Sequence, residues 1–407
     1  MKEKALFISH MYIKENDKSY GKVIHEQAVS LIKRGYEVQV ICPVPYTLGF
    51  LKYFNKKYTM IHDIPNKEIH DGVVVYYPRF ISFPRSIFFK YSGKLMYLSL
   101  KNFIKQLKKI YNFNIIHAHF AMPDAYASMK ISEYFKVPLI TTLQASDLDI
   151  TVYRNDGCKE KVKKTLEYSS EVISPTPRLK NQLFDLFNIH SYDIGYGIDT
   201  QKTKIKSSPN LISKYSGKNI IISVSRLLNS KGIDYNIKAI KKLKESHDIH
   251  YLIIGDGPEK ENLIKLVEDL GLNDIVEFLG ELNHTQTMQY ISIADIFSLP
   301  SWQETFGLVY LEAMINGVPV IGCKGQGFDG IIEHQKNGYL AEPKDMESVY
   351  EIMDSILTNP QKVRLVVEKA EQTVLSEFTH QKISEKIEEV YDNVLNNEDF
   401  HIKSNAR

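Results

Sequence analysis

Two carboxylates with seven residues between them, Glu304 and Glu312, stand in the stretch LPSWQETFGLVYLEAMINGVPV, Leu299 to Val320. Gly307 separates the first from a short apolar run that reads as a helix. The first turn of a helix carries unpaired backbone N–H groups and a partial positive charge, so Thr305, Phe306, Gly307 and Leu308 form a candidate anion site. Were the whole interval helical, eight steps of about 1.5 Å would separate the two Cα atoms by roughly 12 Å. That suits an elongated ligand with a phosphate middle and hydroxyl-bearing ends, the form of a nucleoside diphosphate sugar. An ordinary amphipathic helix on a parallel sheet uses the same residues differently: Leu308, Leu311, Ala313, Met314 and Ile315 face the core and both glutamates are solvated. The surroundings decide between the two.

Those surroundings alternate short β-branched runs with helical patterns, which marks an α/β protein with mostly parallel sheets. Lys4 to Ser9 is predicted as a first strand, His10 to Tyr20 as a polar loop, the segment after Gly21 as a helix, and Tyr36 to Cys42 as a second strand. This opening is that of a dinucleotide-binding half, but no G-x-G-x-x-G follows its first strand. Further strands are predicted at Ile115 to His119, Leu139 to Thr142 and Glu171 to Pro175, with LQASDLD as a polar loop after Thr142. A polar linker over Thr200 to Lys218 precedes a second series of strands: Ile220 to Val224, Tyr251 to Ile254, Val276 to Leu279, Ile296 to Pro300 and Val318 to Cys323. The expected architecture is two Rossmann-like, doubly wound domains facing each other across a cleft, residues 1–199 and 200–379. A helix over 380–396 crosses back to the first domain, and a polar tail occupies 397–407.

Composition sets outer bounds. A chain of 407 residues with 43% hydrophobic and 25% charged content suits two globular domains. It contains no apolar run long enough to span a membrane, and MKEKALFISHMYIKEND lacks a signal-peptide core, so a cytoplasmic location is expected. Cys42, Cys158 and Cys323 are too few and scattered for a disulfide framework or metal knuckle and read as packing residues.

The net charge of +2 is unevenly spread: Gly49 to Tyr111 holds twelve Lys or Arg against three acids, about +9. There Phe83, Phe88, Phe89 and Tyr91 interleave with Arg85, Lys90 and Lys94, as in segments that dock on anionic lipid. From Leu95 onward, Met96, Leu100, Phe103, Ile104, Leu107 and Ile110 describe instead the core face of one helix with solvated lysines behind it.

His117 and His119 close the Ile115 strand, at the end where ligands of open α/β sheets collect. Alternation puts both on one side, so at least one is expected to reach the cleft, and no third ligand at a suitable spacing makes the pair a metal site. The run Gly325-Gln326-Gly327-Phe328-Asp329-Gly330 satisfies G-x-G-x-x-G, but the following IIEHQKNG is too short for the crossover helix of a dinucleotide fold. It is read as a glycine loop whose backbone N–H groups can meet the hydroxyls of a ligand.

The second half carries SVSRLLNSKG, IIGDGPEKENL, VEFLGEL, LPSWQETFGLVYLEAMINGVPVI and NGYLAEPKD in that order. This series, with Glu304 and Glu312 as an E-x7-E pair, resembles the retaining GT-B glycosyltransferases of the group 1 and family 4 type. In the first half the resemblance rests on the Gly21 loop and helix, the strand ending HAH, and YGID near Asp199. It implies that Arg226 and Lys231 hold the diphosphate in place of a divalent ion. It further implies that Glu312 binds the ribose, that Glu304 holds the donor sugar near its reacting carbon, and that His119 lies close to donor sugar and acceptor. Gly21 would admit the phosphate to the backbone. Two departures fall in the acceptor half: Gln144-Ala145-Ser146-Asp147 stands where the family often has His-Gly before Ser/Thr-Asp, and the first loop lacks a Gly-Gly pair.

The expected function is transfer of a hexose from a nucleotide sugar, UDP-linked, to a hydroxyl of a saccharide or lipid-linked saccharide, with retention and with no metal or other cofactor. Bacterial cell-surface polysaccharide synthesis at the inner face of the plasma membrane is the expected setting, with peripheral contact to anionic lipid and no nucleic-acid partner. The alternatives are a catalytically silent nucleotide-binding partner of another transferase and a GT-B nucleotide-sugar epimerase. Free sugar released from donor alone separates an enzyme from a silent partner.

Overall fold

The computed structural model describes residues 2–15, 17, 20–47, 56–83 and 88–396. Arg85, one of the basic residues of the predicted lipid-docking segment, and the tail 397–407 lie outside them. The chain divides into two compact units: unit 1 is Met1–Pro175, Leu179–Gly195 and Ile383–Arg407, and unit 2 is Thr176–Arg178 and Tyr196–Lys382.

Among the described residues, ten strands lie in unit 1: β1 Lys4–Ile8, β2 Glu37–Ile41, β3 Val44–Pro45, β4 Lys67–His70, β5 Val73–Tyr76, β6 Arg79–Phe80, β7 Ile115–His119, β8 Leu139–Thr142, β9 Glu171–Ser174 and β10 Tyr192–Asp193. Eight of them form one sheet in the order β10-β9-β8-β7-β1-β2-β5-β4. Its ladders are parallel except for the β4–β5 hairpin. The central strands read ALFI and IIHAH because helices cover both faces and leave no side for water. Helix Ser92–Ile110 buries Met96, Leu100, Ile104 and Leu107 against that sheet, as its periodicity predicts. Ile110 is a correction, since it stands 79% exposed at the helix end.

LQASDLD is not a loop. Ala145–Asp149 forms a short helix, because Gln144 and Asp147 make a reciprocal capping box that satisfies its first N–H groups. Helix His380–Asn396 contributes its part from Ile383 onward to unit 1. There the nearly buried Glu388 pairs with Lys2 and Arg34, Arg34 Nε donating to its Oε2 at 2.7 Å.

Unit 2 holds β11 Asn219–Val224, β12 Ile249–Ile254, β13 Val276–Gly280, β14 Ile296–Ser298, β15 Val320–Cys323 and β16 Tyr339–Ala341. They form one parallel sheet in the order β13-β12-β11-β14-β15-β16. This is the 3-2-1-4-5-6 order of a Rossmann fold. The stretch predicted as linker carries two short capped helices, Thr200–Thr203 behind Asp199 and Pro209–Lys214 behind Ser208.

Candidate active site

In unit 2 the strand order reverses between β11 and β14, which opens a crevice beyond the carboxyl ends of those strands. The loop that leaves β11 is tied down on two sides. Ser225 N–H donates to Ile254 O at 3.1 Å and Leu227 N–H to Asp256 O at 2.9 Å. Ser230 O accepts from Trp302 N–H at 3.0 Å and from Ser301 Oγ at 3.1 Å, joining this loop to the one that leaves β14. Lys231 Nζ therefore stands 2.8 Å from Glu304 Oε2, with the two side chains only 16% and 12% exposed. Arg226, on the same loop, is exposed and its guanidinium makes no hydrogen bond among the described residues.

A buried polar cluster beneath the crevice sets its floor, and nothing in the local sequence pattern announced it. Asn236 Nδ2 lies 3.0 Å from Ser223 Oγ, Tyr251 OH and Ser298 O, and Ser298 Oγ donates back to Asn236 Oδ1 at 2.8 Å. One side chain on helix Ile233–Leu243 thus fixes β11, β12 and β14 together at the point where the order turns.

The helix after Glu304 spans Leu308–Ile315, so the interval between the glutamates is not helical throughout. Gly307 caps it in the left-handed region with φ 82°, and a Cβ there would fall 2.6 Å from the Tyr310 ring. Thr305 N–H donates to Glu304 Oε1 at 3.1 Å, so Glu304 already engages one of the predicted anion donors. Phe306 is buried edge-on against Tyr196 and Phe328, at 5.1 and 6.0 Å between ring centroids, which leaves its backbone rather than its ring to face a ligand. Glu312, on the helix, accepts from His284 Nε2 at 2.9 Å, a partner that sequence reasoning did not single out.

The GQGFDG segment turns directly after β15 without a helix. Gly325 N–H donates to Asp329 Oδ2 at 2.6 Å and Gly327 N–H to Glu304 O at 3.2 Å, so this loop braces the backbone of Glu304.

In unit 1, His117 and His119 stack on each other with centroids 4.6 Å apart and are both fully buried. The expectation that one of them lies open is corrected on this point. His117 is held by Tyr391 OH at 2.9 Å and Thr142 Oγ1 at 2.7 Å, and burial lowers its pKa to about 3. His119 has no hydrogen-bond partner on either nitrogen among the described residues, and burial, then His117, holds it well below the ordinary imidazole range. Gly21 caps helix Lys22–Lys33 with φ 82°, and a Cβ there would lie 2.5 Å from Met11 O. Its conformation is demanded by the chain's own loop crossing over it.

Phe83, Phe88 and Tyr91 are 46%, 59% and 44% exposed beside the exposed Lys90 and Lys94. Phe89 is partly covered, with the Arg154 guanidinium 4.6 Å over its ring. All three cysteines are buried thiols. Among the described residues no group of three or more His, Cys, Asp or Glu is placed to hold a metal ion, and no helix is long and apolar enough to cross a membrane.

Comparison with known proteins matches residues 205–373 to Glycosyl transferases group 1 and residues 21–202 to Glycosyltransferase Family 4. N-acetyl-alpha-D-glucosaminyl L-malate synthase of Bacillus anthracis is 28% identical over 92% of this chain and 94% of its own. The Bacillus subtilis protein TuaC, whose name gives it a glycosyltransferase role in teichuronic acid biosynthesis, is 28% identical over 86% of this chain and 87% of its own. The structure of Anabaena HepE in complex with UDP superposes with a TM-score of 0.71 at 19% identity, covering 96% of this chain and all of the other. With both family models matched in chain order on two Rossmann-like units, the chain belongs to the glycosyltransferases, with a family 4 amino-terminal half and a group 1 carboxy-terminal half on a GT-B fold.

Proposed function

We propose that this glycosyltransferase moves a hexose from a UDP-linked donor to a hydroxyl of a saccharide or lipid-linked saccharide, with retention and without a divalent metal. The observation that carries the donor half of this reading is the cluster at the β11–β14 switch point. An exposed Arg226, the Lys231–Glu304 pair and the start of helix Leu308–Ile315 converge there. In such a reaction negative charge grows on the leaving diphosphate. Preorganised cationic and N–H donors stabilise that charge without reorganising. Arg226, Lys231 and the backbone of Thr305 to Leu308 take this role, with a metal ion unnecessary to it. Glu312, oriented by His284, accepts from the ribose hydroxyls, and Glu304 holds the donor sugar. Unit 1 takes the acceptor, with Gly21 shaping its first loop and the buried His119 lying behind the end of β7 rather than in contact with the sugar.

The UDP assignment draws support from the UDP complex of HepE, and a cell-surface acceptor from the name of TuaC. The exposed aromatics with Lys90 and Lys94 support peripheral contact with an anionic membrane, which fits an inner-face location and a lipid-linked acceptor. The test is to offer UDP-, GDP- and ADP-linked hexoses in EDTA and follow nucleotide release and the anomer of the first sugar product by NMR. The expected result is release from a UDP-sugar with the configuration kept. Inverted product, or release restored only by magnesium or manganese, overturns the reading.

A further inference from the structure

The sheet of unit 1 has its own switch point, between β1 and β7, and four strand ends meet there around one imidazole. His10 follows β1, Cys42 follows β2, Asp124 follows β7 and Asp147 follows β8. Asp124 is fully buried. Its Oδ1 accepts the His10 backbone N–H at 3.0 Å and its other oxygen pairs with His10 Nδ1. The ring packs on Phe120 at 4.6 Å between centroids. With Nδ1 committed to Asp124 the ring orientation is fixed, and Nε2 makes no hydrogen bond among the described residues although the side chain is 30% exposed.

Among the described residues, the charged and titratable groups around this ring are Asp124, Asp147, Lys14, Cys42 and, facing Asp124, Tyr20. Asp147, fully buried, accepts Ala121 N–H at 2.9 Å and Gln144 N–H at 3.0 Å, while burial pushes its carboxyl up to about 7. Lys14 lies on the loop from β1, its Nζ donating to Tyr12 O at 3.1 Å. Cys42 approaches His10 O at 3.7 Å and stays a thiol, because burial pushes it up to about 12. Burial works against charge on His10, but Asp124 next to it, with Asp147, leaves the ring above its ordinary range despite Lys14. A ring serving only as counter-ion to Asp124 gains nothing from an outward nitrogen at a switch point. This one presents Nε2 there, with a lysine on the same loop, and that nitrogen is an N–H donor whenever the ring is an imidazolium.

We propose that His10, fixed by Asp124, is a subsite for an oxyanion of the acceptor, a carboxylate or phosphate near the hydroxyl that receives the sugar. The proposal rests on the reading above only in taking unit 1 as the acceptor half. The test is NMR of histidine-labelled protein saturated with UDP and titrated with glucuronate, inorganic phosphate or, as the neutral control, methyl α-D-glucopyranoside. Glucuronate or phosphate should move the His10 resonances and raise the His10 pKa by about half a unit, and the glucoside should not. A response to one anion alone names its class. His10→Gln should abolish anion binding while UDP affinity is unchanged. Should that variant fold poorly, Asp124→Asn serves instead, weakening the response by freeing the ring. No response to either anion overturns the proposal. So does a response seen only without UDP, which would assign His10 to donor phosphate. If UDP itself does not bind, the donor reading fails, and the titration without UDP still decides whether His10 takes an anion.

Discussion

Lys231 and Glu304 neutralise each other at 2.8 Å, so the charge that first meets a diphosphate at this crevice is that of the exposed Arg226. On the proposed reading, Lys231 divides its donors between Glu304 and phosphate. Glu304→Gln releases a charge-assisted hydrogen bond of about 1.5–3 kcal/mol. Nucleotide affinity should therefore rise, by roughly tenfold, while turnover falls because the donor sugar loses its carboxylate. Calorimetry with UDP checks the first half, and an affinity that falls would remove Glu304 from the neighbourhood of the phosphates. His117 gives a separate pH signature. Its folded pKa of about 3 lies below the unfolded value of about 6.5, so the unfolded chain binds the extra proton between those limits. Stability from this group is complete above about pH 6.5 and falls by about 1.4 kcal/mol per unit on acidification toward pH 3. The raised Asp147 works with opposite sign, weakening the fold as pH climbs through its own window, so only a difference measurement isolates His117. His117→Gln should flatten the acid limb in urea titrations between pH 6 and 4 relative to wild type, and parallel limbs would show that the ring does not titrate this way.

At the scale of elements, the strands that flank both switch points were legible because each is a short β-branched or apolar run closed by a polar loop. Ile220 to Val224 and Ile115 to His119 are examples. The Arg226–Lys231 loop and the helix after Gly307 were legible for a similar reason, being polar or glycine-bearing breaks between apolar runs. What holds them was not. Asn236 sits among apolar residues of its helix and looks from sequence like a helix-interior asparagine of no consequence. Only the packing reveals that it meets Ser223, Tyr251 and Ser298. The same is true of His284 on Glu312 and of the capping box that turned LQASDLD into a helix, since both depend on pairing that spacing alone does not specify. Asn236→Ala leaves several buried polar groups short of a partner, and should cost about 2–4 kcal/mol in urea unfolding. A loss under about 0.5 kcal/mol would mean that water or relaxation replaces the amide and the cluster does not set the crevice floor.

For the whole molecule the charge is divided by region: a net +2 overall, with about +9 counted between Gly49 and Tyr111. Lipid docking should therefore be separable from nucleotide binding in unit 2. Lys90→Glu and Lys94→Glu together should move the protein off anionic vesicles, each basic residue near such a surface contributing about 1 kcal/mol, while UDP affinity stays unchanged. Failure of wild type to sediment with anionic vesicles at low salt would remove the membrane contact and leave the transferase standing. The central claim concerns the β11–β14 switch point, and calorimetry of UDP binding in EDTA tests it most directly. Wild type should bind without metal, and Arg226→Ala should bind roughly tenfold to a hundredfold more weakly with its fold intact. No binding by wild type in EDTA, or equal affinity in the two proteins, would contradict the account.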